Sequence, residues 1–176
     1  MLSGEFVRKD HSPQFGGHVL LAARAVMPGH DICPVSYTHH FFGRPEHIKT
    51  NARLLRSGVD GYFSSTFFYP DKQVILTASK LGQGYCGSQI IGDRGTLTIT
   101  MLHHLTGIML HRQDGTLEEI CGDIEKPILL ANEMKDFSRY INDPLGTRDE
   151  YRYAQQLSVA VCETLQEMRA QAGLSF

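Results

Sequence analysis

Between His47 and Cys121 the chain breaks into seven short β-rich runs: "HIKTNARLL", "GYFSSTFFY", "QVILTASK", "SQIIG", "GTLTITML", "GIMLHR" and "TLEEIC". The segments between most of them, "RSGVDG", "PDK", "GQGYCG", "GDRG" and "QDG", are short and rich in turn-forming residues. A parallel connection needs a crossover of about a dozen residues or more, so runs this close together pair antiparallel. A mostly antiparallel sheet is therefore expected. Within "GYFSSTFFY", Phe63, Phe67 and Tyr69 alternate on one face while Tyr62 and Phe68 fall on the other. Neither face of that strand is cleanly polar.

Helices flank this β region. "HVLLAARAVM", after Gly16-Gly17, reads as a helix that Pro28-Gly29 stops. "CPVSYTHHFFG" reads as a second, short helix with Pro34 in its first turn and Gly43 past its end. In "LLANEMKDFSRYI", Leu130, Met134, Phe137 and Ile141 recur every three or four residues, and Asn142-Asp143-Pro144 ends the run. A last helix carries Tyr153, Leu157, Val161, Leu165 and Met168 as one stripe, with Arg169 in its final turn and Gly173 at the position after the cap. Laying the two apolar helix faces on one side of the sheet gives an α+β domain of two layers. Its other sheet face is then left for solvent or, as the aromatic residues there predict, for a second subunit. The length of 176 residues suits one domain, so residues 1–176 are expected to form a single unit.

Charge and cysteine usage exclude some partners. With 17 Lys and Arg against 19 Asp and Glu, the net charge of -2 provides no field that would draw in nucleic acid or an anionic membrane. The longest apolar runs fall well short of the ~20 residues that span a bilayer. Cys33, Cys86, Cys121 and Cys162 lie far apart with no CxxC, which points to a reducing compartment, the cytoplasm.

Gly82-Gln83-Gly84-Tyr85-Cys86-Gly87, "GQGYCG", matches the G-x-G-x-x-G pattern that cradles a dinucleotide pyrophosphate. That chemistry needs a helix to open at the third glycine, so that its N–H groups and dipole meet the phosphates. Here "SQIIGDRGTLTI" follows, two β-runs joined by Gly92-Asp93-Arg94-Gly95 in a hairpin. The glycines are expected to shape a loop, and no cofactor-binding residue is assigned.

The strand, Gly-x-x-Gly and strand of "SQIIGDRGTLTI", preceded by a Lys-bearing strand and followed by "NEMKDFSRYI" and a helix ending "ETLQEMRAQAGLSF", resembles the C-terminal domain of the Gfo/Idh/MocA oxidoreductase family. "FGG" upstream, and "YTHHFFGRPEHI" leading into a strand, are similar to the same family in order and spacing. The resemblance implies the dihydrodipicolinate-reductase-like fold of that domain. It also implies an NAD(P)-dependent dehydrogenase of sugars, inositols or dihydrodiols, in which a separate Rossmann domain carries the NAD or NADP. This chain would be the substrate wall and oligomer interface, without that Rossmann domain and without the family's catalytic lysine. Glu125-Lys126-Pro127 stands after the sheet, where a turn into a helix explains it, and receives no catalytic part. The expected partners are a small polyol or sugar and either a second copy through the open sheet face or a Rossmann-domain partner.

In the family, the helix before the "FFGRP" turn presents an Asp and, four residues on, a Tyr or His to the reacting carbon. This sequence departs from that pattern: Cys33 stands where the aromatic or His would be, and Asp31 lies two residues before it. The catalytic residues thus stay unassigned. The nearest substrate-binding candidates are Asp31, Tyr37, His39 and His40, with Lys80 at the end of the strand before the glycine loop. Asp31 also suits a helix cap, and one of the two histidines is expected to face solvent. His39-His40, His103-His104 and His111 invite a metal reading, but strand neighbours point to opposite faces and no helical His-x-x-x-His pair occurs, so no metal site is assigned.

Overall fold

The computed structural model of the chain describes residues 19–25, 32–82, 87–102 and 106–174. The elements run β1 (Val19–Ala25), α1 (Ile32–Phe42), β2 (His47–Leu54), β3 (Asp60–Phe68), β4 (Lys72–Ser79), β5 (Ser88–Gly92), β6 (Gly95–Met101), β7 (Thr106–Arg112), β8 (Leu117–Cys121), α2 (Lys126–Asn142) and α3 (Arg148–Gln171). All eight strands lie in one sheet, ordered β2-β3-β4-β1-β5-β6-β7-β8. Every neighbouring pair is antiparallel except β1 with β4, which run parallel from Val19 against Lys72 to Ala25 against Ala78. The α+β, mostly antiparallel architecture expected from the sequence is the one observed.

One element differs. The "HVLLAARAVM" stretch was expected to be a helix, and Val19–Ala25 within it is strand β1. Its backbone finds a ladder on each side, β4 on one and β5 on the other. Two ladders outweigh the modest helix preference of Leu, Ala and Arg, which is worth only tenths of a kcal/mol per residue.

The seven runs read from the sequence are β2 to β8, and the hairpins follow their turn chemistry. Gly92 pairs with Gly95 across the tight turn between β5 and β6, and Gly95 takes a φ of 154°, open to glycine. At the end of α3, Gly173 has a φ of 72°, the Leu174 N–H reaches the Arg169 carbonyl at 3.0 Å and the Gly173 N–H reaches Ala170 at 3.2 Å. Gly173 thus occupies the post-cap position expected of it, and the bonding is that of a Schellman ending. Pro127 sits in the first turn of α2 after Glu125, so Glu125-Lys126-Pro127 is a helix start.

The core lies between one sheet face and two helices. Phe63 and Phe67 from β3, Val74, Leu76 and Ala78 from β4, Ile48 from β2, and Ile90 and Ile99 from β5 and β6 meet Val35 of α1 and Val161 and Met168 of α3. Phe67 and Val74 are fully buried. The stripe of α3 holds for Leu157, Val161, Leu165 and Met168, while Tyr153 stays exposed. The apolar face of α2 was expected to cover the sheet as well, but no residue of α2 is buried, and Met134, Phe137 and Ile141 are 58 to 64% exposed. The residues directed away from the helices on β3, Tyr62 and Phe68 among them, are partly or fully exposed.

The free edge of β2 is closed by a side chain. Gln171, at the end of α3, accepts the Thr50 N–H at 2.7 Å and donates to the Ile48 carbonyl at 2.9 Å. Its primary amide supplies one donor and one acceptor where the next strand would have done so.

Candidate functional site

Helix α1 carries three of the five residues singled out from the sequence. Val35, Thr38 and His39 face the interior, spaced as one helical face requires. Tyr37, His40 and Phe41 stand on the adjoining, more open face. The two adjacent histidines therefore separate. His39 is buried, with Nε2 2.8 Å from the Thr164 hydroxyl of α3. His40 is half-buried, with Nδ1 2.9 Å from the Tyr153 hydroxyl of α3. His40 is the more open of the two, but it does not face solvent freely, being half-buried against Tyr153.

Around His40 the rings form a ledge. Tyr37 stacks on Phe41 with centroids 6.3 Å apart and planes at 20°, and His40 meets Phe41 edge-on at 5.3 Å and 69°. Tyr153 closes the ledge, edge-on to His40 at 5.9 Å. Phe41 is 43% exposed and Tyr153 47%. Exposed aromatic faces beside a polar nitrogen suit a ring with an apolar C–H face and hydroxyl edges.

The C-terminal end of α1 is held firmly. Gly43 reverses the chain with a φ of 74°, the Tyr69 hydroxyl donates to its carbonyl at 3.0 Å, and Phe42 packs edge-on to Tyr69. Arg44 then pairs with Glu163 of α3 at 2.8 Å. A shallow hollow of about 380 Å3 lies between Arg44 and the outer side of α3, lined by Gln155, Gln156, Val159, Ala160 and Glu163.

Electrostatics keep these groups neutral. Burial pushes the His39 imidazole below its ordinary range, and the nearby Arg44 charge lowers it further. His40 is lowered by burial alone. Tyr37, Tyr69 and Tyr153 are all raised, chiefly by burial, so their phenols stay protonated. Burial also raises the Cys33 thiol, which leaves it a poor nucleophile.

The other two candidates lie apart from the ledge or outside view. Lys80 follows β4, and its ammonium pairs with Asp60 at 2.7 Å at the far end of the strand from the Tyr69 hairpin. Asp31 falls outside the described residues. Tyr153 and Thr164 were not recognised as polar partners of α1; Tyr153 sat in an apolar stripe at helical spacing, and Thr164 gave no signal. His111, weighed as a metal ligand, bonds the Thr98 hydroxyl at 3.0 Å on the sheet.

The third glycine of the pattern does not open a helix. Gly87 leads directly into strand β5, so no helix N-terminus opens there to meet a pyrophosphate. A Cβ on Gly87 would lie 2.6 Å from the Ile99 carbonyl oxygen, so the close approach of β6 accounts for that glycine. Gln83 to Cys86 lie outside the described residues.

The fold has known counterparts. The chain is 29% identical over 135 residues to scyllo-inositol 2-dehydrogenase (NADP(+)) IolU of Bacillus subtilis strain 168, an alignment covering 77% of this chain and 40% of that protein. The fold matches the 3-ketoreductase KijD10 of Actinomadura kijaniata, solved with TDP-benzene and NADP, at a TM-score of 0.71 and 15% identity. It also matches UDP-N-acetylglucosamine 3-dehydrogenase GnnA of Acidithiobacillus ferrooxidans, at 0.67 and 13%. The chain resembles the C-terminal domain of the Gfo/Idh/MocA oxidoreductases. Both structural matches cover 90% of this chain and 54 to 55% of the other, so the chain spans about half the length of those structures and less of IolU. No protein-family model matches it. The fold and the IolU alignment thus liken it to a domain of oxidoreductases. Among the described residues no helix is long and apolar enough to cross a membrane.

Proposed function

We propose that this chain is the substrate-binding and oligomerisation domain of a cytoplasmic NAD(P)-dependent oxidoreductase acting on a sugar, polyol or dihydrodiol, and that it is inactive without a nucleotide-binding partner domain. The observation that carries this reading is the ledge of Tyr37, His40, Phe41 and Tyr153, on a fold shared with sugar dehydrogenases. The rings would lie against the C–H face of the substrate, and His40 would meet one of its oxygens. Hydride transfer further requires a nicotinamide held against the substrate carbon, a task for the partner domain. Pairing with a second copy would use the open sheet face around Tyr62 and Phe68.

The test is calorimetric titration of the 176-residue chain with NADH and NADPH, and then with a polyol panel that includes scyllo-inositol. The expected result is no nucleotide binding at millimolar concentration and measurable polyol binding that Phe41→Ala abolishes. Micromolar nucleotide binding, or no polyol binding at all, overturns the reading.

A second reading is a non-catalytic assembly module that pairs with a related full-length subunit. The uncovered stripe of Met134, Phe137 and Ile141 on α2 favours it, because an apolar face of that kind is ordinarily covered in an assembled protein. A full-length relative that gains mass on mixing with this chain, with no polyol bound by the chain alone, would establish it.

A further inference from the structure

The contact between His40 and Tyr153 has a direction that elementary acidity decides. A neutral imidazole carries one N–H and one bare nitrogen, and its hydrogen bonds select which is which. A phenol is a better proton donor than a neutral imidazole N–H, and a bare imidazole nitrogen is a better acceptor than a phenol oxygen. Burial raises Tyr153 and lowers His40, so both are neutral at pH 7. Over the 2.9 Å between them, the favoured arrangement has the Tyr153 O–H donating to Nδ1. The edge-on packing of the two rings holds them in that relation.

We propose that Tyr153 is a positioning residue for His40: by donating to Nδ1 it fixes the Nε2–H tautomer, so the ledge meets its ligand with an imidazole N–H donor. The inference rests on the reading of the ledge as a polyol site and narrows its chemistry. The ligand must bring an acceptor oxygen, a hydroxyl or carbonyl, to Nε2. His40 then orients that oxygen and polarises it as a donor, and does not serve as a proton acceptor. The titratable groups around it are Tyr37 and His39 on α1, Tyr153 across on α3, and the Arg44–Glu163 pair at the helix end. That pair joins opposite charges, which limits the field it exerts on the ring.

Two-bond 15N–1H spectra of the 15N-histidine-labelled chain test this, with the His40 signals assigned by their loss in His40→Asn. The expected spectrum shows His40 protonated at Nε2 above pH 7. In Tyr153→Phe the His40 midpoint should rise by about 0.5 to 1, since one acceptor bond to the neutral ring is lost. A wild-type ring protonated at Nδ1, or an unchanged midpoint in a folded Tyr153→Phe, overturns the proposal. If Tyr153→Phe fails to fold, the wild-type tautomer alone decides. Added scyllo-inositol should shift the Nε2–H signal. An Nε2–H tautomer that no polyol perturbs would support the role of Tyr153 while refuting the polyol reading of the ledge.

Discussion

The Nε2 atom of His39 lies 2.8 Å from the hydroxyl of Thr164, so a buried imidazole on α1 is tied to α3 across 125 residues of sequence. Burial first, and Arg44 second, hold that ring below its ordinary range. In the unfolded chain it titrates at about 6.5. The unfolded state therefore binds the proton more readily, and stability falls as the pH drops through about 6.5 toward the lower folded value. Urea midpoints should be lower at pH 5.5 than at pH 7.5, and His39→Gln should shrink the difference. Equal midpoints for the native chain would show that His39 is not held neutral.

Gln171→Ala removes both hydrogen bonds that the side chain makes to the edge of β2. A stability loss of about 1 kcal/mol is expected. The more specific readout is amide hydrogen exchange, which should quicken at Thr50 and stay unchanged in β6. Unaltered protection of Thr50 would show that the edge is closed by something else.

Gly107 and Gly115 both have positive φ, 63° and 85°, but only at Gly107 is space lacking. A Cβ there would lie 2.7 Å from Thr100, whereas at Gly115 nothing stands within 4 Å. Gly107→Ala should cost more than Gly115→Ala, toward the upper end of the roughly 1 to 3 kcal/mol that forced left-handed residues cost. Chemical denaturation of the two variants gives the ranking, and the reverse order would refute the steric argument.

Phe137 on α2 is 58% exposed, so Phe137→Ser should leave the unfolding free energy of the isolated chain within about 0.5 kcal/mol. Phe67→Ala, at a fully buried position, should cost about 3 to 5 kcal/mol. A large loss from Phe137→Ser would mean that the stripe is covered in solution, and light scattering would then show whether a second copy covers it.

Strands β2 to β8 were legible because most of them are bounded by turns whose residue types dictate their geometry, as Gly92-Asp93-Arg94-Gly95 does for β5 and β6. Helices α1 and α3 were legible from period and caps. Strand β1 was not, because "VLLAARA" owes its conformation to neighbours about 50 and 70 residues away, which no local pattern encodes. The apolar period of α2 announced a helix correctly but could not say whether anything covers it. At the site, adjacency alone could not tell His39 from His40; their roles separated only once Thr164 and Tyr153 came alongside on α3. Tyr153 fitted the stripe by spacing, yet a tyrosine at the end of such a stripe has a hydroxyl to satisfy, and that was the available clue.

The strand order places β1 between two meanders, β2-β3-β4 and β5 through β8, and among the described residues no other strand joins them. Each meander is built from near neighbours in sequence and can zip up locally. The halves become one sheet only when a segment from before both is threaded into the gap, one edge parallel and the other antiparallel. Pairings so distant in sequence form more slowly, as a rule, than local hairpins. Until β1 docks, β4 and β5 each offer an unpaired edge to other chains. The seven residues of β1 are thus the keystone of the sheet, filling the gap that would otherwise leave β4 and β5 with open edges.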